Sequence, residues 1–226
     1  MQRFGMNYLE QSQFSENDYY NVNDAILCWL WHTERLNWGY QSKIQMQKGV
    51  YLIQILSPLY NLAEEYVKYF SYNYGPFSAQ LQGKIHHLCS IGLIDLLYYE
   101  PGNNGKAKYR ISEKGKLALK KLELLPKFEK MMDLSRIISN MIDIYGLDNL
   151  VAIVYEEPTF KKLKTEGHFS RIIKLQGEMN LSAKIVEEFN IISHQMFKRE
   201  QITVESLIVA YFDYLRASLA NSKEER

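Results

Sequence analysis

No apolar run in the 226-residue chain approaches the roughly 20 residues that span a bilayer. The first residues are polar, unlike the basic and then apolar opening of a secretory leader. The cytoplasm is therefore the expected location. Cysteine is scarce: Cys28 and Cys89 are the two in the chain, each among apolar neighbours. Buried free thiols in a reducing compartment fit them better than a disulfide framework. There is no Gly-rich phosphate loop, no paired-cysteine metal spacing and no nucleophile elbow. The chain also lacks internal repeats and low-complexity tracts. No enzyme activity, metal or cofactor is expected. The adjacent His86 and His87 point about 100° apart on a helix and cannot share a metal without further ligands. Glu64-Glu65 and Glu156-Glu157 have no basic partner at motif spacing and read as solvated faces or helix ends.

Net charge is nearly absent too, at +1, so the molecule as a whole makes no case for nucleic acid. Its distribution is uneven. Residues 84–130 hold 10 Lys/Arg against 5 Asp/Glu, whereas the segments on either side are each slightly acidic. What the chain has in plenty is apolar and aromatic surface: 46% hydrophobic residues and 17 tyrosines. That supports a folded core, with tyrosines suited to half-wet surfaces and protein interfaces.

Residues 1–22 show no period and read as a mobile or partner-binding arm. A helix follows from Asn23 and fades by residues 37–39. A second starts near Gln41 and ends at Pro58. Gly49 in its middle costs about 1 kcal/mol against Ala, which implies a close neighbour. A third element covers residues 59–72, with Leu62, Tyr66 and Tyr69/Phe70 on one face. Gly75 suits a turn, and Pro76 suits the first turn of a helix over residues 76–91. That helix has Leu81, Ile85 and Leu88 inward. A strand at 93–99, a turn at 101–106, a strand at 108–112 and a basic helix at 113–124 come next, with Ser112 as its cap.

This order predicts a mainly α fold with a small β-hairpin wing. A winged helix-turn-helix domain spans 23–125, a C-terminal helical region packed on it spans 126–220, and 221–226 is a solvated tail. In the C-terminal region, an amphipathic helix runs from Phe128 to a break at Gly146. Residues 147–155 read as a buried helix or strand, with helix preferred. Residues 159–180 look irregular. Two helices close the chain, one with Ile185, Phe189, Ile192 and Met196 inward, the other with Val204, Leu207, Ile208, Tyr211 and Leu215 inward.

The outward face of helix 76–91 carries Ala79, Gly83, His86 and Ser90, flanked by Gln82 and His87. Base readout wants Arg, Asn, Gln or Lys reaching groove edges. Small residues four apart instead let another backbone approach, so Ala79, Gln82, Gly83 and His86 are candidates for a protein interface. Lys84, Lys106, Lys108, Arg110, Lys116 and Lys120 are candidates for phosphate contact, with Lys114 and Lys121 beside them. A solvated helix face would account for the same lysines.

Several ordered motifs carry a resemblance. Residues 42–52 (SKIQMQKGVYL) look like a Lys-(x)-Gln-Lys-x-x-Tyr-Leu helix. Then come Tyr74-Gly75-Pro76-Phe77-Ser78, Gly92-Leu93-Ile94, residues 109–115 (YRISEKG) and residues 154–160 (VYEEPTF). In that order, over about residues 24–160, the chain resembles the Panacea (SocA-like) and YwgA-like bacterial proteins. It also resembles the middle components of ABC-three-component and Lamassu-type anti-phage systems. The resemblance implies a non-enzymatic adaptor in a complex with an SMC/Rad50-like ATPase and an effector, often a nuclease. The alternatives behind it are an antitoxin that neutralises a toxin, as Panacea-type proteins do, and a transcription regulator on duplex DNA, which the winged-helix order itself suggests. The helices after Pro158 and the tyrosine-rich arm depart from a minimal Panacea domain and fit a subunit that docks large partners.

Overall fold

In this computed structural model, residues 22–62, 67–98, 106–196 and 202–224 are described. The arm lies outside them except for Val22. So do Glu64-Glu65, Tyr66 and the tip of the expected wing at 99–105.

Helix α2 (Lys43–Leu56) is the axis of the molecule. Ser42 caps it: the Gln45 N–H donates to the Ser42 hydroxyl, and the Gln45 side chain accepts from the Ser42 N–H. This reciprocal box satisfies two orphan donors and fixes where the helix begins. From Met46 to Leu56 every residue is buried. A helix apolar or internally bonded on all sides must be surrounded. It is enclosed by α1 (Val22–Arg35), α3 (Ala79–Ser90), α5 (Pro126–Tyr145), α6 (Leu150–Glu156) and α8 (Leu181–Met196). Gly49 has the close neighbour its position implied. A Cβ there would lie 2.2 Å from Cε2 of the fully buried Trp29 on α1.

Two small antiparallel sheets flank this bundle. In the first, β1 (Gln41–Ser42), β5 (Lys108–Ile111) and β4 (Ile94–Tyr98) lie in the order β1-β5-β4. Gln41 stands opposite Tyr109 and Ile94 opposite Ile111, with a bulge between Leu96 and Tyr98. Ser112 follows β5 and caps α4 (Glu113–Leu122), as its position before the basic run indicated.

The second sheet differs from expectation. Residues 69–72 form β2 (Tyr69–Tyr72) and residues 75–77 form β3 (Gly75–Phe77), joined as a hairpin with Phe70 opposite Phe77. Pro76 therefore lies in a strand, and the helix begins three residues later, capped by Ser78. A proline is tolerated there because β3 is the edge of its sheet. The expected element over 59–72 is instead a short 3-10 turn (Ser57–Tyr60) followed, beyond residues 63–66, by a strand.

The C-terminal half is helical. α5 ends at Gly146, whose φ of +87° suits a residue without Cβ. The 147–155 stretch is helical, as preferred: a 3-10 turn leads into α6. Residues 159–180 are more regular than expected. They hold most of α7 (Pro158–Thr165) and β6 (Ile172–Ile173), which adds to β2. On α8 the inward face is Ser182, Ala183 and Val186. Ile192 and Met196, expected inward, are exposed, because α8 meets its neighbours mainly through its first half. Helix α9 (Val204–Glu224) buries Leu207, Ile208, Tyr211 and Leu215 as expected, and it runs on through most of the expected tail. Cys28 is buried and Cys89 half-buried, both as free thiols. No single helix among the described residues is long and apolar enough to cross a membrane.

Candidate functional site

The motif residues meet in space. The Gln47 amide closes a two-way bridge to Ser78: its Nε2 donates to the Ser78 carbonyl at 2.9 Å, and the Ser78 N–H donates to its Oε1 at 2.9 Å. From the next residue, Lys48 Nζ donates to the Pro76 carbonyl at 2.8 Å. The Tyr155 hydroxyl from α6 donates to the Asn73 carbonyl at 3.1 Å in the hairpin loop. The glutamine-lysine pair, the Tyr-Gly-Pro-Phe-Ser turn and the Val-Tyr segment are thus one hydrogen-bonded unit. Gly75, at φ +92°, is obligatory in it. A Cβ at that position would lie 2.6 Å from Lys48 Nζ and 2.9 Å from Tyr155 Cε1. Burial pushes Lys48 down to about 7.

A second polar centre lies beneath. Glu157, fully buried, accepts from the Tyr51 hydroxyl at 2.6 Å, the Ser182 hydroxyl at 2.6 Å and the N–H groups of Thr159 (2.8 Å) and Phe160 (2.7 Å). The two N–H bonds cap α7, so the helix-end reading of Glu157 holds while the solvated one does not. Ser182 also meets the Tyr211 hydroxyl at 2.5 Å, which joins α2, α7, α8 and α9 through one carboxylate. Burial, then the charge of Glu157, pushes the Tyr51 and Tyr211 phenols well up. Glu156 is nearly buried and pairs with Lys161 at 2.5 Å, five residues on. Neither centre was singled out from the residues alone, although most of their residues lie within the motifs that carry the resemblance.

The expected interface residues sit on α3. Ala79 and Gly83 are exposed, and nothing lies within 4 Å of where a Gly83 Cβ would be. Gln82 is drawn in towards the sheet: its Nε2 donates to the Tyr109 hydroxyl at 3.0 Å and lies 2.8 Å from His86 Nε2. His86 and His87 are exposed. Among the described residues no three His, Cys, Asp or Glu gather where they could hold a metal ion.

The expected phosphate-contact residues divide into two groups. Lys84, Lys106, Lys108 and Lys120 are exposed. Lys116 is held between Glu34 at 2.7 Å and Glu113 at 2.8 Å, where it ties α4 to α1. Arg110 pairs with Asp95 across the strands at 3.2 Å and lies over the Tyr40 ring. Lys114 donates to the Ile91 carbonyl. Arg110, Lys114 and Lys116 are therefore engaged within the chain. No protein-family model matches the chain, and no curated protein is significantly similar to it.

Proposed function

We propose that the chain is a winged-helix adaptor, an accessory subunit that holds an effector against an SMC-like ATPase in a bacterial anti-phage complex. The winged-helix reading is supported by element order. Helix, short strand, helix, helix and two paired strands follow one another, and β1 pairs with the last strand. The β2–β3 hairpin is inserted before α3, and α4 follows the sheet. In such a module α3 takes the recognition position.

The observation that carries the adaptor reading is the Ala79–Gly83 step on α3. It is exposed, uncharged and open, so a partner backbone can come close. A base-reading helix would present long hydrogen-bonding side chains there. Of the two glutamines on α3, Gln82 donates to the Tyr109 hydroxyl and Gln80 accepts from the Lys68 N–H. The ATPase and effector rest on the family resemblance, and the remaining exposed helices suit a subunit with more than one docking face.

The test is co-purification of the chain with the products of its neighbouring genes, using wild type and Gly83→Leu. Gly83 is exposed, so the variant keeps its fold and loses its partner. An unchanged complex refutes the α3 interface. Specific duplex binding by the isolated chain, steeply weakened by salt and by Lys84→Glu with Lys108→Glu, would transfer the assignment to a DNA regulator.

A further inference from the structure

Between the start of α2 and the β2–β3 hairpin lies a cleft of about 420 Å³. Its walls are Ile44, Tyr72, Tyr74 and Phe77, and the amines of Lys43 and Lys48 contribute its polar groups together with Gln47. Among the described residues its lining contains no Asp or Glu. Lys43 Nζ lies 5.3 Å from the centre of the Phe77 ring. Lys48 is 3% exposed. Among the described residues, its one hydrogen-bond acceptor is the Pro76 carbonyl, and no carboxylate pairs with it. An ammonium has three N–H donors, and a buried cation with no anion is costly unless one arrives. Gly75 lets that amine pack against the hairpin backbone, since a Cβ there would sit 2.6 Å from Nζ. The floor is fixed by the Gln47–Ser78 bridge, so the cleft exists before any ligand binds.

We propose that this cleft binds a small organic acid with a flat apolar body, its carboxylate against the Lys48 and Lys43 amines and its body against Ile44, Tyr72 and Phe77. The volume falls in the range of small-molecule sites, and the pattern of apolar walls with a few convergent polar groups is theirs too. The lowered proton affinity of Lys48 agrees with an amine held without its counter-ion. A carboxylate entering the cleft restores the charge pair. The cleft is separate from the α3 docking face, and the proposal stands or falls apart from that reading.

The experiment is an NMR titration of the full chain with phenylacetate, indole-3-acetate and hexanoate, each beside its neutral amide. The expected result is saturable shifts in residues 43–48 and 72–77, with each amide weaker than its acid by about tenfold or more. Lys48→Met should weaken the acids by a similar factor. Ile44→Glu changes an exposed residue and leaves the fold intact, and it should abolish acid binding by placing a carboxylate at the mouth. Amides that bind as well as the acids overturn the proposal. So does the absence of saturable binding by all three acids up to about 20 mM, well above a millimolar Kd. A blocked tetrapeptide with aspartate beside phenylalanine that outcompetes every free acid assigns the cleft to a protein segment, and likewise overturns it.

Discussion

The Tyr51 hydroxyl reaches across 106 residues of sequence to donate to the Glu157 carboxylate at 2.6 Å, with both groups fully buried. This contact joins the central helix to the C-terminal half through a carboxylate that, among the described residues, pairs with no cation. Four donors replace water around that carboxylate, two of them backbone N–H groups at the start of α7. The network is therefore sensitive to the loss of any one member. Tyr51→Phe removes one charge-assisted bond and should destabilise by about 2 kcal/mol. Glu157→Ala removes the cap and leaves the Tyr51 and Ser182 hydroxyls without their shared acceptor; about 3–5 kcal/mol is expected. Urea denaturation of the two variants measures both, and a Glu157→Ala loss below that of Tyr51→Phe would show the carboxylate is not the hub.

The Gly49–Trp29 contact makes a second, opposite-signed test of helix propensity. In an exposed helix, Gly49→Ala would stabilise by about 1 kcal/mol. Here the new methyl would overlap the indole ring, which is packed on all sides. A net loss of about 1–3 kcal/mol is expected from overpacking. Trp29→Leu alone should be destabilising, but the pair should be less destabilised than the two single changes summed. Additive values from a double-mutant cycle would show that the two sites do not touch.

Local signals were legible wherever one residue has one dominant physical preference. Ser112 before a basic amphipathic run marks a cap, Gly146 marks a helix end, and Gly49 inside an apolar run marks a close neighbour. Pro76 was misplaced because its fixed φ suits both a first helical turn and an edge strand. Only the pairing with β2 decides between them. Ile192 and Met196 continue the period of Ile185 and Phe189, yet among the described residues nothing buries them. Glu157 and Lys48 were illegible as buried groups for a deeper reason. A charged side chain is buried by partners distant in sequence, and nothing local distinguishes it from a solvated one.

His32 gives a prediction for acid. Burial pushes the imidazole down from 6.5 to about 4, and its neighbours include Arg35, Arg136 and Asp133. Among the described residues its Nε2 has no hydrogen-bond partner. The unfolded chain takes up the proton near 6.5, before the folded chain does. Stability is therefore complete above that pH and falls as pH drops from 6.5 towards 4. His32→Leu should flatten this part of the curve relative to wild type. Equal slopes in urea titrations at pH 6.5, 5.5 and 4.5 would show that His32 titrates normally in the folded state.

Lys48 gives the opposite limb. Its folded amine titrates near 7 and its unfolded amine near 10.5, so between these values the unfolded chain holds the extra proton. Raising the pH across that window favours the folded state through this group. The upper part of the window is contaminated. Burial raises the thiols of Cys28 and Cys89 and the phenols of Tyr51, Tyr69 and Tyr211. Those groups ionise first in the unfolded chain, so above their ordinary values they lower stability as pH rises. The clean interval is from pH 7 to about 8.5, just below the free-thiol range. There, wild type should gain stability relative to Lys48→Met, whose buried methionine has nothing to titrate. The variant loses the bond to the Pro76 carbonyl but no longer buries a charge at pH 7, so the difference between the two proteins should change with pH. A constant difference from pH 7 to 8.5 would mean that the Lys48 amine keeps its charge in the folded protein, and that an anion or water compensates it.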